Sequence, residues 1–187
     1  MAEGVLEKHL SEIQKAADRL KGVAAETPLM YSTYFSKESG NQIWIKPENL
    51  QNTGSFKLRG AYNRISQLTE EERSHGIVTA SAGNHAQGVA YAAKLSGVAY
   101  AAQHYGCPCT IVMPEVTPLI KIKSAQEKGA NVVIHGENYD QAYRKALEVA
   151  VETGGLFIHA YDDYGVLCGQ GTIALEMLKE NPDLDEI

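Results

Sequence analysis

Apolar residues recur at helical spacing near the start of the chain. Val5, Leu6, Leu10, Ile13, Ala16, Ala17 and Leu20 line one face, which predicts a helix over residues 5–21 closed by Gly22. Thr27-Pro28-Leu29 reads as extended, because proline disfavours helix at the residue before it. Ile43-Trp44-Ile45-Lys46 predicts a short strand, residues 47–54 a polar turn, and residues 55–68 a helix. Beyond this the pattern becomes regular. Short β-branched runs at 77–80, 110–113, 131–134 and 156–159 alternate with helical patterns after 84 and at 118–128, 139–152 and 166–179. Strands that alternate with helices predict an α/β fold with a mainly parallel sheet.

One segment repeats. Residues 88–96 and 97–105 are consecutive nonapeptides that share six of nine positions, Gly-Val-Ala-Tyr-Ala-Ala. A solenoid needs more and longer repeats, so a local tandem duplication within one helix is the better reading. Nine added helical residues lengthen a helix by about 13.5 Å and turn its face by roughly half a revolution. Either the alanine-rich surface absorbs that rotation, or one copy is extruded at Ser96-Gly97.

Composition narrows the classes. The chain has 187 residues, 44% hydrophobic, with a net charge of -6 and interspersed signs. That is a globular composition with no basic, aromatic-interleaved patch, so nucleic acid is not expected as a partner. An acidic chain is also disfavoured at an anionic membrane, and no apolar run approaches a membrane span. Cys107, Cys109 and Cys168 form no CxxC pair, so neither a disulfide scaffold nor structural zinc is expected. With no apolar leader after Met1, a reducing, cytoplasmic location is the expectation.

Two constellations carry candidate chemistry. In Gly54-Ser55-Phe56-Lys57-Leu58-Arg59-Gly60, Lys57 falls in the first turn of a predicted helix. A lysine is most often a solvated surface residue. Here its charge opposes the helix dipole, and the same field favours the neutral amine that attacks an aldehyde. Gly54 allows close backbone approach and Phe56 offers an apolar neighbour. The second constellation is Ser81-Ala82-Gly83-Asn84-His85-Ala86-Gln87-Gly88, between a strand and a helix. Small residues there leave backbone N–H groups for an anion such as a carboxylate, with Ser81 as an added donor and Asn84 able to donate and accept. The rival reading is an ordinary N-cap turn. Gly169-Gln170-Gly171-Thr172 reads as packing and capping, since no Walker lysine follows. Asp162-Asp163 is a weak metal or paired-carboxylate signal. His9, His75, His104 and His135 read as surface or packing residues, and His85 as a positioning group.

Residues 54–61 together with 81–88 closely resemble the threonine dehydratases (threonine ammonia-lyases), pyridoxal-phosphate enzymes of the tryptophan synthase β fold type. Thr27-Pro28-Leu29, residues 46–51, residues 110–114 and residues 169–176 are similar to that family too. The resemblance implies a three-layer, parallel-sheet α/β fold and pyridoxal 5'-phosphate as cofactor. It implies that Lys57 is the Schiff-base lysine and the base for the α-proton, that Phe56 lies beside the cofactor, and that Asn84 bonds its ring hydroxyl. Ser81, Ala82, Gly83 and His85 would line the loop that holds the substrate carboxylate. The implied reaction takes L-threonine to 2-oxobutanoate and ammonia, or L-serine to pyruvate and ammonia, in threonine catabolism or isoleucine biosynthesis.

The family pattern continues past Ile187 into a glycine-rich phosphate loop. The expectation is therefore a truncated fold: a smaller domain at 55–158 that carries the duplication, and a larger domain in pieces at 1–54 and 159–187. Strands without neighbours would favour self-association into a homo-oligomer. The rival functions are a truncated, non-catalytic remnant acting by association, and a nucleotide-binding α/β module; the missing G-x-G-x-x-G fingerprint argues against the latter.

Overall fold

The structure, a computed structural model, describes residues 2–99 and 107–187. Helix α1 (Ala2–Leu20) leads through a turn to an antiparallel pair, β1 (Met30–Tyr31) and β2 (Trp44–Ile45), which brackets α2 (Thr33–Ser39). A 3-10 turn at Glu48–Leu50 precedes α3 (Lys57–Ile65) and α4 (Glu70–His75). Then come β3 (Ile77–Ala80), α5 (Asn84–Ala99), β4 (Cys109–Met113), α6 (Leu119–Glu127), β5 (Asn131–Ile134), α7 (Tyr139–Thr153), β6 (Leu156–Phe157) and α8 (Tyr164–Glu180).

Strands β3 to β6 form one fully parallel sheet in the order β5-β4-β3-β6. Strand alternation explains its two-sided burial. Ile77, Ile111 and Met113 face a core shared with α3, α5, α6 and α8, while Val78, Ala80 and Val112 pack on Ala142 and Ala146 of α7. The sheet is therefore the middle of three layers, as expected. Both copies of the repeat begin within α5, which passes through Ser96-Gly97 as helix, so no copy is extruded there. The remainder of the second copy, His104 included, lies outside the described residues.

Two short helices missing from the sequence reading, α2 and α4, are held by their caps. Ser32 accepts from Phe35 N and Gly40 ends α2 in the left-handed region, while Thr69 and Glu72 form a capping box on α4. The stretch 169–172 lies inside α8 and does not cap it. Its cap is Asp163, whose carboxylate accepts from Val166 N and also pairs with Arg64 at 2.9 Å. Packing is the part of that expectation that stands: a Cβ on Gly169 would come within 2.5 Å of Arg59 O and 2.6 Å of Gly60 Cα. Helices α3 and α8 thus cross backbone to backbone.

That crossing is locked by Arg59, which is fully buried. Its guanidinium donates to Glu48 through Nε at 2.8 Å and Nη2 at 2.9 Å, and to Glu176 through Nη1 at 2.5 Å and Nη2 at 2.8 Å. Thr172 Oγ1 accepts a further bond at 3.2 Å. Lys46 caps the other side, donating to Glu176 at 2.8 Å and to the Thr27 carbonyl at 2.5 Å. Three segments remote in sequence therefore meet on one side of α3.

Removing one partner of a buried pair strands the other charge, at about 3–5 kcal/mol. Arg59→Ala is expected to lower unfolding free energy by about that amount in urea titration, and an effect under about 1 kcal/mol would contradict the clamp. The pH dependence has a definite sign. Burial pushes the Glu48 carboxyl up, but its bonds from Arg59, Thr27 and Gln51 together push it further down, to below its ordinary 4.5. A depressed carboxyl stabilises the fold above the unfolded pKa and loses that effect as pH falls through the folded one. The stability gap between wild type and Glu48→Gln is thus expected to narrow below pH 4.5.

Candidate functional site

Lys57 opens α3. The preceding turn depends on Gly54, whose φ of +74° is a left-handed conformation that side chains disfavour. A Cβ there would meet nothing within 4 Å, so backbone conformation, not close approach, explains that glycine. Phe56 sits at the N-cap with helical dihedrals and no side-chain cap; the first-turn N–H of Lys57 donates instead to Ser55 Oγ at 3.4 Å. Lys57 is half-buried; its ammonium donates to Ala160 O at 2.9 Å and lies 5.0 Å from the Phe56 ring centre. Burial lowers its pKa, which raises the share of neutral amine.

The second constellation follows β3 at its carboxyl end. Ser81 N continues the ladder to Val112 O at 3.1 Å. Ser81 Oγ, itself buried, accepts from Gly83 N and Ala86 N, both at 3.2 Å, and so shapes the turn into α5. Ala82 and Gly83 are half-buried, and Asn84 is exposed at the helix start. Gly83 borders open space, since a Cβ there would meet nothing within 4 Å. Gln87 points away from this loop and ties α5 to α6, accepting from Ser124 at 2.8 Å and Lys128 at 3.0 Å.

Gly88 brings the two constellations together. A Cβ on it would lie 2.9 Å from the Lys57 carbonyl carbon and 3.0 Å from Leu58 N. Helix α5 therefore rests on the Lys57 peptide. Asn84 stands on the same face four residues earlier, about 6 Å along the axis. A helix carrying Asn84 and a helix carrying Lys57 are held at backbone contact distance.

His85 is buried, and its Nε2 faces Ile158 O at 3.3 Å. A carbonyl only accepts, so Nε2 carries the proton and Nδ1 is bare. Among the described residues that buried Nδ1 has no partner. Burial drives the ring's pKa down to about 4; the Ile158 bond opposes this, and the nearby charges of Lys57 and His159 add to it. At neutral pH His85 is uncharged. Thr79 Oγ1 donates to the same Ile158 carbonyl at 2.8 Å.

Ile158, His159 and Ala160 were not singled out in the sequence, yet two of their carbonyls hold His85 and Lys57. The signal was available: in parallel sheets ligands gather at the carboxyl ends of strands. Residue 158 follows β6, the neighbour of β3, so it shares that end with Ser81.

Comparison with known proteins fits this arrangement. The family of pyridoxal-phosphate dependent enzymes matches residues 20–187. The L-threonine ammonia-lyase of Thermotoga maritima is 47% identical over 178 residues, covering 95% of this chain and 42% of that protein. The biosynthetic L-threonine dehydratase of Haemophilus influenzae is 42% identical, over 96% of this chain and 33% of its own length. Among solved structures, the processed threonine deaminase isoform 2 of Solanum lycopersicum superposes with a TM-score of 0.85 at 41% identity, over 97% of this chain and 50% of that one. A maize serine racemase gives 0.84 at 34%, over 94% and 50%. The chain thus spans half or less of the length of these relatives.

His85 yields a test of this geometry. Its folded pKa of about 4 lies below the ordinary 6.5, so in that window the unfolded chain binds more protons and stability falls as pH falls. Urea titrations of wild type from pH 7 to 4 are expected to show an acid-linked loss, on the order of 3 kcal/mol at most. His85→Gln should lack that component, and equal pH slopes in the two proteins would contradict a buried neutral ring.

Proposed function

The chain belongs to the pyridoxal-phosphate dependent enzymes, and on that premise we propose that it carries the lysine half of a threonine/serine ammonia-lyase site. The observation that bears most weight is the half-buried amine of Lys57, its pKa lowered by burial, bonded to Ala160 O and carried on a peptide that packs against Gly88 of α5.

The residues present suit pyridoxal 5'-phosphate. Lys57 offers an amine whose pKa burial lowers, which raises its nucleophilic share. Phe56 exposes an aromatic face next to it, and exposed Asn84 can reach a ring hydroxyl. When bound, the cofactor supplies the electron sink for carbanion chemistry at the amino acid's α-carbon.

The chain's own part is positioning and proton handling. Lys57 Nζ takes the α-proton of the amino acid. The turn at Ser81, Ala82 and Gly83 receives the α-carboxylate at the start of α5, where backbone N–H groups and the helix dipole favour an anion. His85, neutral and anchored on Ile158 O, fixes that turn from beneath and adds no charge. The net reaction takes L-threonine to 2-oxobutanoate plus ammonia, or L-serine to pyruvate plus ammonia. Names of the relatives favour this outcome, and the maize serine racemase marks α-proton exchange without elimination as the nearest alternative chemistry on the same site.

The test is direct. The chain incubated with pyridoxal 5'-phosphate is expected to gain a long-wavelength absorbance that borohydride bleaches, and to release 2-oxobutanoate from L-threonine. Lys57→Ala should abolish both. An unchanged absorbance in Lys57→Ala would refute the assignment of this lysine.

A further inference from the structure

Lysine has a long side chain with many rotamers, so an amine waiting for an aldehyde gains from a defined resting place. The acceptor that provides it is Ala160 O, 2.9 Å from Nζ and 103 residues away in sequence. Ala160 lies three residues past Phe157, the last residue of β6. The neighbouring ring shapes the chain there. His159 Nδ1 accepts from Asp162 N at 2.8 Å and from Tyr161 N at 3.3 Å, closing residues 159–162 into a turn with Ala160 inside it.

The ring's orientation is set by packing. It meets Tyr161 edge-on at 4.5 Å between centroids, Tyr143 of α7 at 6.0 Å and Phe157 of β6 at 6.1 Å. Both bonds to Nδ1 come from backbone N–H groups, which can only donate, so the proton resides on Nε2. The ring therefore serves as an oriented acceptor facing its own turn.

From this arrangement we propose that His159 is a positioning residue for Lys57: it holds the Ala160 carbonyl where that carbonyl docks the lysine amine in the cofactor-free chain. The idea rests on the proposed role of Lys57, and it adds the group that keeps the amine pointed while the site awaits its aldehyde. Charged and titratable groups around this docking point are His85 on α5, Lys57 on α3 and Asp163 at the start of α8; Lys57 and Asp163 are both near enough to act on the His85 ring.

Asparagine and glutamine separate the turn acceptor from mere packing. Asparagine Oδ1 occupies the place of histidine Nδ1, whereas glutamine Oε1 reaches toward the Nε2 position. Both lose the ring stacking equally. In the cofactor-free full chain, His159→Asn is expected to keep the Asp162 amide protected from hydrogen exchange and the Lys57 ammonium protons visible in slow exchange with water. His159→Gln should speed both exchanges by about fivefold or more, the equivalent of one net hydrogen bond. The rate at which borohydride traps pyridoxal 5'-phosphate on Lys57 should follow the same split. Intact β3 amide signals verify the fold, and His159→Ala carries the same expectation as Gln if Gln disturbs it.

Equal behaviour of Asn and Gln, whether both wild-type-like or both impaired, would overturn the proposal. The exchange readouts need no cofactor. A chain that shows the Asn/Gln split but never labels Lys57 would refute the ammonia-lyase reading and leave the docking point standing.

Discussion

The guanidinium of Arg59 is the constraint on which the rest of the molecule turns. It has no exposed surface, and it faces two carboxylates from opposite sides, Glu48 and Glu176. Such a clamp is a weak source of net stability, since desolvation offsets much of the Coulomb attraction. Its strength lies in geometry: a bidentate fork on two carboxylates fixes orientation as well as distance. With the clamp made, α3 cannot rotate against α8. Lys57 and Arg59 are two positions apart on one helix, about 200° around its axis, so locking one side presents the other. Arg59 faces the N-terminal segments and α8, and Lys57 faces the sheet's carboxyl end.

From that fixed helix the site assembles through close backbone contacts. Gly88 lets α5 lie on the Lys57 peptide, and the turn built by Ser81 leads into the same helix. Strand β6 pairs with β3 and delivers the Ile158 and Ala160 carbonyls beneath His85 and Lys57. Small residues, backbone carbonyls and one neutral histidine make the surroundings of Lys57 poor in charge. Desolvation is accordingly what lowers its pKa.

Much of the fold was legible from local pattern. Strands at 77–80 and 131–134 begin and end where the β-branched runs do, and α7 begins at Tyr139 where its pattern does. Lys57 and the 81–88 turn stood out because each breaks or satisfies a local rule at a helix start. Helices α2 and α4 were missed because they are short and polar and rest on caps rather than on an apolar stripe. The true start of α8 was hidden because Asp163 reads as loop until its Val166 bond is seen. Arg59 was quoted beside Lys57 without a role, since its partners lie 11 and 117 residues away. Long-range pairing of that kind leaves no trace in periodicity, and the Ala160 carbonyl, being backbone, leaves none in residue type.

The central claim is that this fold singles out one lysine for an aldehyde. Site-resolved mass spectrometry after brief exposure to limiting pyridoxal 5'-phosphate and borohydride reduction measures that selectivity most directly. The account predicts that the label concentrates on the peptide containing Lys57, ahead of the solvated surface lysines. A label spread evenly over surface lysines, with Lys57 unmodified, would contradict it.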